Sequence, residues 1–336
     1  HEPRIEPPLR SLAAERFGPG AVVHGIAAAV LQRRVVRYTV AVSTGADQPP
    51  VPFHVIGKVC DTEAAGRQEF AVLQRLAARG FGAAPPRCVG VPEAYAFVPE
   101  LGLLLMQDVG GTPLKRLVKE RRARPVHLRR FARALVKLHG FPTVVEVPYT
   151  LDDHLAQRCA GQCGALAAAI PELAGEIGAV IAAARELAGG APALAHGDCH
   201  LGQLHLDGPS AWLLDFEQLR FGDPAYDIAL VVMQLARLSL HDGRTLYVRA
   251  LRDAFLRRYF AAADLGIAAR VPVNAALALL KRACKRVRWQ DEAGWRDAVR
   301  AQIRQAAGCI ALQRATRPPR GIDDVLALCD RCPMTA

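Results

Sequence analysis

Two carboxylates and one amide decide what chemistry this chain can do. Asp198 follows the short apolar run Ala193–Ala195 and the pair His196-Gly197, Asp215 follows Ala211–Leu214 directly, and Gln203 lies between them. A turn, Asp207-Gly208-Pro209-Ser210, separates the two apolar runs. The simplest reading is strand, loop, strand, with both acids brought to one end of a small sheet. Hard oxygens of this kind suit a divalent cation, and a carboxylate at a loop can take the proton of a hydroxyl.

Phosphoryl transfer from a nucleotide needs few parts: a cation clamp, a base near the attacking hydroxyl, a positive group on the phosphates, and a site that excludes water. The chain offers a residue for each of the first three. Asp198 is the candidate base, and Gln203 and Asp215 are the candidate metal ligands. Basic residues are mostly arginine, so a lysine inside the apolar run Phe53–Cys60 stands out, and Lys58 is the candidate for the phosphates. Glu69, on the helical segment that follows, is placed to pair with Lys58, with Glu63 as the fallback. Asp223 and Asp227 read as loop braces that accept backbone N–H groups.

The elements that must position these groups fall into two parts. Ala21–Val23 begins a β-like run that His24-Gly25 breaks, and Val35–Ser43 (VVRYTVAVS) alternates as a strand should. Phe53–Cys60, Ala94–Pro99 and Leu101–Met106 complete a five-stranded, mostly antiparallel sheet. Asp61 or Thr62 caps a helix over Glu63–Arg79, and Gly80 stops it. Gln107-Asp108-Val109-Gly110-Gly111 is a glycine-bearing crossover. From Pro113 on, helical spacing dominates, interrupted by the stretch Ala193–Asp227. The expected class is therefore α+β: residues 1–108 as a small nucleotide-binding lobe, and 109–336 as a larger helical lobe with catalytic loop, metal site and acceptor pocket.

With 336 residues, half of them apolar, the chain can bury a large core. No apolar run approaches the roughly 20 residues of a membrane span. The N-terminal HEPRIEPPLR lacks the layout of a signal peptide, so a cytoplasmic protein is expected, with no membrane partner. A net charge of +11 raises nucleic acid as a partner, but only Lys115–Arg124 and Lys281–Arg288 cluster. Both sit in helical patterns and read as solvated faces, which argues against nucleic acid. The nine cysteines are odd in number and irregularly spaced, and read as free thiols.

HGDCHLGQ over 196–203, followed by LLDFEQLRFGDPAYDIA, resembles the aminoglycoside phosphotransferase and choline kinase-like superfamily, which shares the protein-kinase-like bilobal fold. The pattern HGD-x-H-x-x-Q followed by DFE is similar to that of maltokinase-like members. The resemblance implies a small-molecule kinase using ATP and Mg2+. It makes Asp198 the catalytic base and Gln203 and Asp215 the metal ligands. It puts Lys58 on the phosphates and adenine against the backbone of Met106, Gln107, Asp108 and Val109. Two departures stand out: Gln203 replaces the usual Asn, and the phosphate-covering segment Val23–Ala29 is poor in glycine. They keep a second reading open, a catalytically silent kinase-like binding protein. The acceptor is a hydroxyl compound. The positive charge disfavours a polycationic aminoglycoside, although Asp152, Asp153, Asp291 and Glu292 could line a pocket for one. A neutral sugar or sugar-like compound is preferred, and Trp289 and Trp295 are candidates to stack on it.

Overall fold

The structure is a computed structural model that describes residues 3–45, 48–82, 89–142, 149–187, 189–240, 245–287 and 293–333. Trp289, Asp291 and Glu292 lie outside the described residues. Two compact units emerge: unit 1 comprises His1–Thr112 and His205–Glu217, and unit 2 comprises Pro113–Leu204 and Gln218–Ala336.

Unit 1 opens with α1 (Glu6–Phe17) and three strands, β1 (Val22–Gln32), β2 (Val35–Ser43) and β3 (Val51–Val59). Then come α2 (Glu63–Leu76), β4 (Val89–Gly90), β5 (Ala94–Val98) and β6 (Leu103–Gln107). The main sheet has the order β1-β2-β3-β6-β5, and all of its pairings are antiparallel. Alternation in β2 turns Tyr38, Val40 and Val42 inward, where they meet Leu9, Leu12 and Ala13 of α1. Thr62 caps α2 by accepting a hydrogen bond from the Ala65 N–H at 3.1 Å. The helix ends at Leu76 rather than Arg79, because a wide turn over Ala77–Phe81 follows, in which Gly80 takes φ +107°.

The first strand differs from expectation. His24-Gly25 does not end it but forms a bulge, with the register shifting between Val23 and Gly25. Pairing with β2 then continues from Gly25 opposite Ala41 to Gln32 opposite Val35. Val23–Ala29 is thus paired strand rather than loop.

The hairpin also differs. Asp207–Ser210 does make the turn, but it joins β9 (Leu204–Asp207) to β10 (Ser210–Leu213). A tight turn pairs the strand that abuts it, and Ala193–Ala195 ends too far upstream. That run, β8, pairs antiparallel with β11 (Arg220–Gly222), Ala195 opposite Arg220. β7 is the short Thr112–Pro113. β10 pairs parallel with β4, Ala211 opposite Val89 and Trp212 opposite Gly90. This pairing gathers His205–Glu217 into unit 1, so Asp215 packs with the first unit, whereas the chain before His205 and after Glu217 belongs to unit 2. The boundary drawn from composition at 108/109 could not show this, because the segment that joins unit 1 comes from far along the chain.

Unit 2 is mainly helical. Its helices are α3 (Leu114–Lys119), α4 (Pro125–His139), α5 (Leu151–His154), α6 (Gly161–Ala169), α7 (Ala174–Leu187) and α8 (Ala225–Ser239). They continue with α9 (Thr245–Phe260), α10 (Gly266–Ala269), α11 (Val271–Val287), α12 (Trp295–Ala315) and α13 (Ile322–Arg331). α8 and α11 are buried over most of their length, as helices apolar on nearly every side must be. Among the described residues, no single helix is long and apolar enough to cross a membrane.

Candidate active site

In unit 1, Lys58 sits on a central strand, paired on both sides, opposite Val35 and Leu104. Its ammonium lies 3.0 and 2.9 Å from the two oxygens of Glu69, which α2 carries and which is only 3 % exposed. The same ammonium donates to Asp215 Oδ1 and lies 3.3 Å from Glu217. Burial alone would lower the Lys58 pKa, but Glu69 and Asp215 outweigh it and raise it above its ordinary value. Burial pushes Glu69 up, and Lys58 opposes that push. Glu69 also accepts from the Phe216 N–H at 3.2 Å, which ties α2 to the Asp215-Phe216-Glu217 segment. Asp215 takes φ +67°, a left-handed conformation that Asp tolerates better than most residues and that gathers at functional positions.

Glu63 is not needed as the Lys58 partner; it pairs with Arg67 at 2.7 Å. Glu217 is the residue that sequence reasoning missed. In the sequence it is only the last residue of Asp-Phe-Glu, and nothing local marks it as a neighbour of Lys58. One carboxylate oxygen from each of Glu69, Asp215 and Glu217 lies within 4.8 Å of the other two. Such a set of hard donors fits a divalent cation such as magnesium.

The crossover is pinned at several points. The Gln107 N–H donates to Glu93 O at 2.8 Å, and Asp108 accepts from the Gly110 N–H at 3.0 Å and pairs with Arg37 at 2.6 Å. His205 of β9 bonds the Gly110 carbonyl at 3.1 Å. Met106 ends nearly buried on β6, with Val109 two residues past its end.

In unit 2, Asp198 is held by what lies under its loop. Asp227, fully buried at the start of α8, accepts from the His196 N–H at 2.7 Å and the Gly197 N–H at 2.9 Å. Its third partner is His139 Nε2 at 3.0 Å, and the other ring nitrogen of His139 bonds the Tyr259 hydroxyl at 2.7 Å. Burial would raise the Asp227 pKa, but the hydrogen bond and charge of His139 and the backbone donors hold it below its ordinary value. Asp223 braces a second point, accepting from the Ala225 N–H at 3.0 Å and pairing with Arg270 at 2.9 Å. Gln203 closes a short 3-10 turn, Leu201–Gln203, and its side chain is buried.

Gly197 has φ +80°, and a Cβ there would lie 2.2 Å from the Gln218 carbonyl oxygen. Gly197→Ala is therefore expected to cost about 3 kcal/mol, from left-handed strain plus overpacking against backbone. Urea unfolding measures it, and a loss below about 1 kcal/mol would refute the tight approach.

Asp198 lines a cavity of about 220 Å³ between α8 and α11. A larger one, about 250 Å³, lies against Tyr149, His154 and Arg220 and lacks Asp198, so size does not select the acceptor pocket. The first cavity corrects the reading of Lys281–Arg288 as a solvated face. Lys281 and Arg282 line it, and Lys281 Nζ is 3.7 Å from Asp198 Oδ1. Two other acids expected near an acceptor are engaged elsewhere: Asp153 accepts from Thr150 at 2.8 Å, and Asp152 pairs with Arg185 at 3.2 Å. Trp295 is buried in α12.

An antiparallel sheet carrying Lys58 with α2 behind it in unit 1, and a helical unit 2 with a braced His-Gly-Asp loop, define a protein-kinase-like α+β fold. The family model described as "Phosphotransferase enzyme family" matches residues 38–280, and this chain belongs to that family. Among solved structures, a choline/ethanolamine kinase family protein from Mesorhizobium loti is 18% identical, with a TM-score of 0.53 over 97% of this chain and 98% of that one. An aminoglycoside phosphotransferase from Streptomyces rimosus is 19% identical, with a TM-score of 0.50 over 81% and 97%. Amicoumacin kinase hAmiN, solved with AMP-PNP and Ca2+, is 11% identical, with a TM-score of 0.55 over 90% and 96%. At these identities it is the fold that is shared. No curated protein matches the chain.

Proposed function

We propose that this chain is a small-molecule kinase that moves the γ-phosphoryl group of ATP to a hydroxyl of a sugar or sugar-like acceptor. The observation that carries the reading is the Lys58 ammonium held by Glu69, Asp215 and Glu217 within a phosphotransferase family chain. Lys58, cationic at neutral pH, pairs with the phosphates, and Glu69 fixes its direction. Adenine lies against the backbone of Met106–Val109. Asp198 accepts the proton of the attacking hydroxyl. Asp215 offers a carboxylate oxygen and Gln203 an amide oxygen as ligands to Mg2+. When bound, the ion neutralises charge on the phosphates. A cytoplasmic location fits a reaction that consumes ATP.

The test is ATP binding with and without Mg2+, read as a thermal shift. A Mg2+-dependent stabilisation by ATP is expected in the wild type, and its loss in Asp215→Ala. An acceptor panel, read by ADP release and by phosphorus NMR of the product, then finds the acceptor. A chain that binds no ATP in either condition would instead be the silent, kinase-like binding protein.

Glu69→Gln is expected to weaken ATP binding about tenfold, a charge-assisted contact's worth, while the fold stays intact. Lys58 keeps Asp215 and Glu217 but loses the carboxylate that aims it. Unchanged affinity in a calorimetric titration would refute the orienting role.

A further inference from the structure

The cavity beside Asp198 is strongly basic. Arg237 comes from α8, and Lys281, Arg282 and Lys285 come from α11. Among the described residues that line it, Asp198 is the one carboxylate. The charges are crowded as well as numerous. Burial pushes the Arg282 guanidinium down to about 10, and Arg237 and Arg286 push it the same way. Holding like charges this close is unfavourable, and a bound anion offsets the repulsion. Leu230 and Met233 add apolar wall, as a sugar-sized compound needs. A volume of about 220 Å³ is below the range for drug-sized ligands and fits a compact acceptor better than a multi-ring one.

We propose that the acceptor is an anionic hydroxyl compound, whose carboxylate or phosphate group is held by Arg237, Arg282 and Lys285 while its hydroxyl lies against Asp198. This rests on the kinase reading and narrows it. A choline-like or aminoglycoside acceptor would bring a positive charge against four cations. A neutral sugar would make no use of the cationic lining.

The test uses matched probes: glucose, glucuronate, glucose 6-phosphate and kanamycin, titrated calorimetrically into the full-length protein. At least one of the two anions is expected to bind about tenfold or more tightly than glucose, and comparing them shows whether carboxylate or phosphate is preferred. Arg237→Gln with Lys285→Gln, both exposed side chains whose loss leaves the fold intact, is expected to weaken that anion about tenfold. Mg2+-ATP binding should change less than about twofold in the same protein.

The proposal falls if glucose or kanamycin binds as tightly as the anions, or if neither anion binds below about 10 mM. It falls equally if the double variant weakens ATP as much as the anion, because the cations would then serve the nucleotide. Failure of the kinase reading looks different: ATP does not bind with Mg2+, whereas anion binding and its loss in the double variant are measured independently.

Discussion

Asp198→Asn is expected to lower kcat by about 10³-fold, the middle of the range for removing a positioned general base. The amide keeps the size of the side chain and loses the ability to take a proton. The KM for ATP should stay within about threefold, because the proposed nucleotide contacts lie on other residues. Stability should change by less than about 0.5 kcal/mol, since the Asp198 side chain is 40% exposed and no brace depends on it. That combination separates a chemical role from a structural one. Circular dichroism and urea unfolding would establish the fold, and steady-state kinetics with the acceptor found by the panel would give kcat. Turnover within about tenfold of wild type would remove Asp198 from the role of base. Lys281, 3.7 Å away, gives a control. If its charge only positions Asp198, Lys281→Gln should lower kcat far less than Asp198→Asn does.

The parts of the molecule legible in sequence were those fixed by local pattern. Val35–Ser43 alternates because one face meets α1, and it is a strand over those nine residues. Thr62 caps α2 because its side chain reaches a backbone N–H three residues on. Lys58 and Glu69 could be paired on paper because a lone lysine in an apolar strand needs a carboxylate, and the next helix supplies one. What failed required knowledge of distant partners. Ala193–Ala195 pairs with Arg220–Gly222 and not with Ala211–Leu214, which no turn signal could reveal. His205–Glu217 joins unit 1 through Ala211 opposite Val89, a pairing across more than a hundred residues. Glu217 entered the Lys58 cluster by the same route. The basic run from Lys281 was misread because helical spacing gives the faces of a helix but not what each face meets. In α11 the face bearing Lys281, Arg282 and Lys285 meets a cavity.

Asp227→Ala is expected to destabilise the protein by about 4 kcal/mol, near the cost of breaking a buried ion pair. The carboxylate is fully buried and takes hydrogen bonds from the His196 N–H, the Gly197 N–H and His139. Removing it leaves three buried donors without their acceptor, at about 1–3 kcal/mol each before relaxation. Asp227→Asn retains one acceptor oxygen and should cost roughly half as much. The pH dependence gives an independent check. The folded Asp227 sits below its ordinary 3.8, so its contribution is fully present above that value and is lost as pH falls through the lower folded one. Wild type and Asp227→Asn should therefore differ most near neutrality, and the gap should close on the acid side of 3.8. A gap that stays constant down to acid unfolding would mean that the carboxylate charge contributes nothing. Activity should follow the loop rather than the stability alone. His196 and Gly197 immediately precede Asp198, so loss of their anchor displaces the proposed base even in the folded fraction. At a temperature where Asp227→Ala remains folded, kcat should still fall by about 10²-fold, the cost of a misplaced catalytic group, while ATP affinity holds.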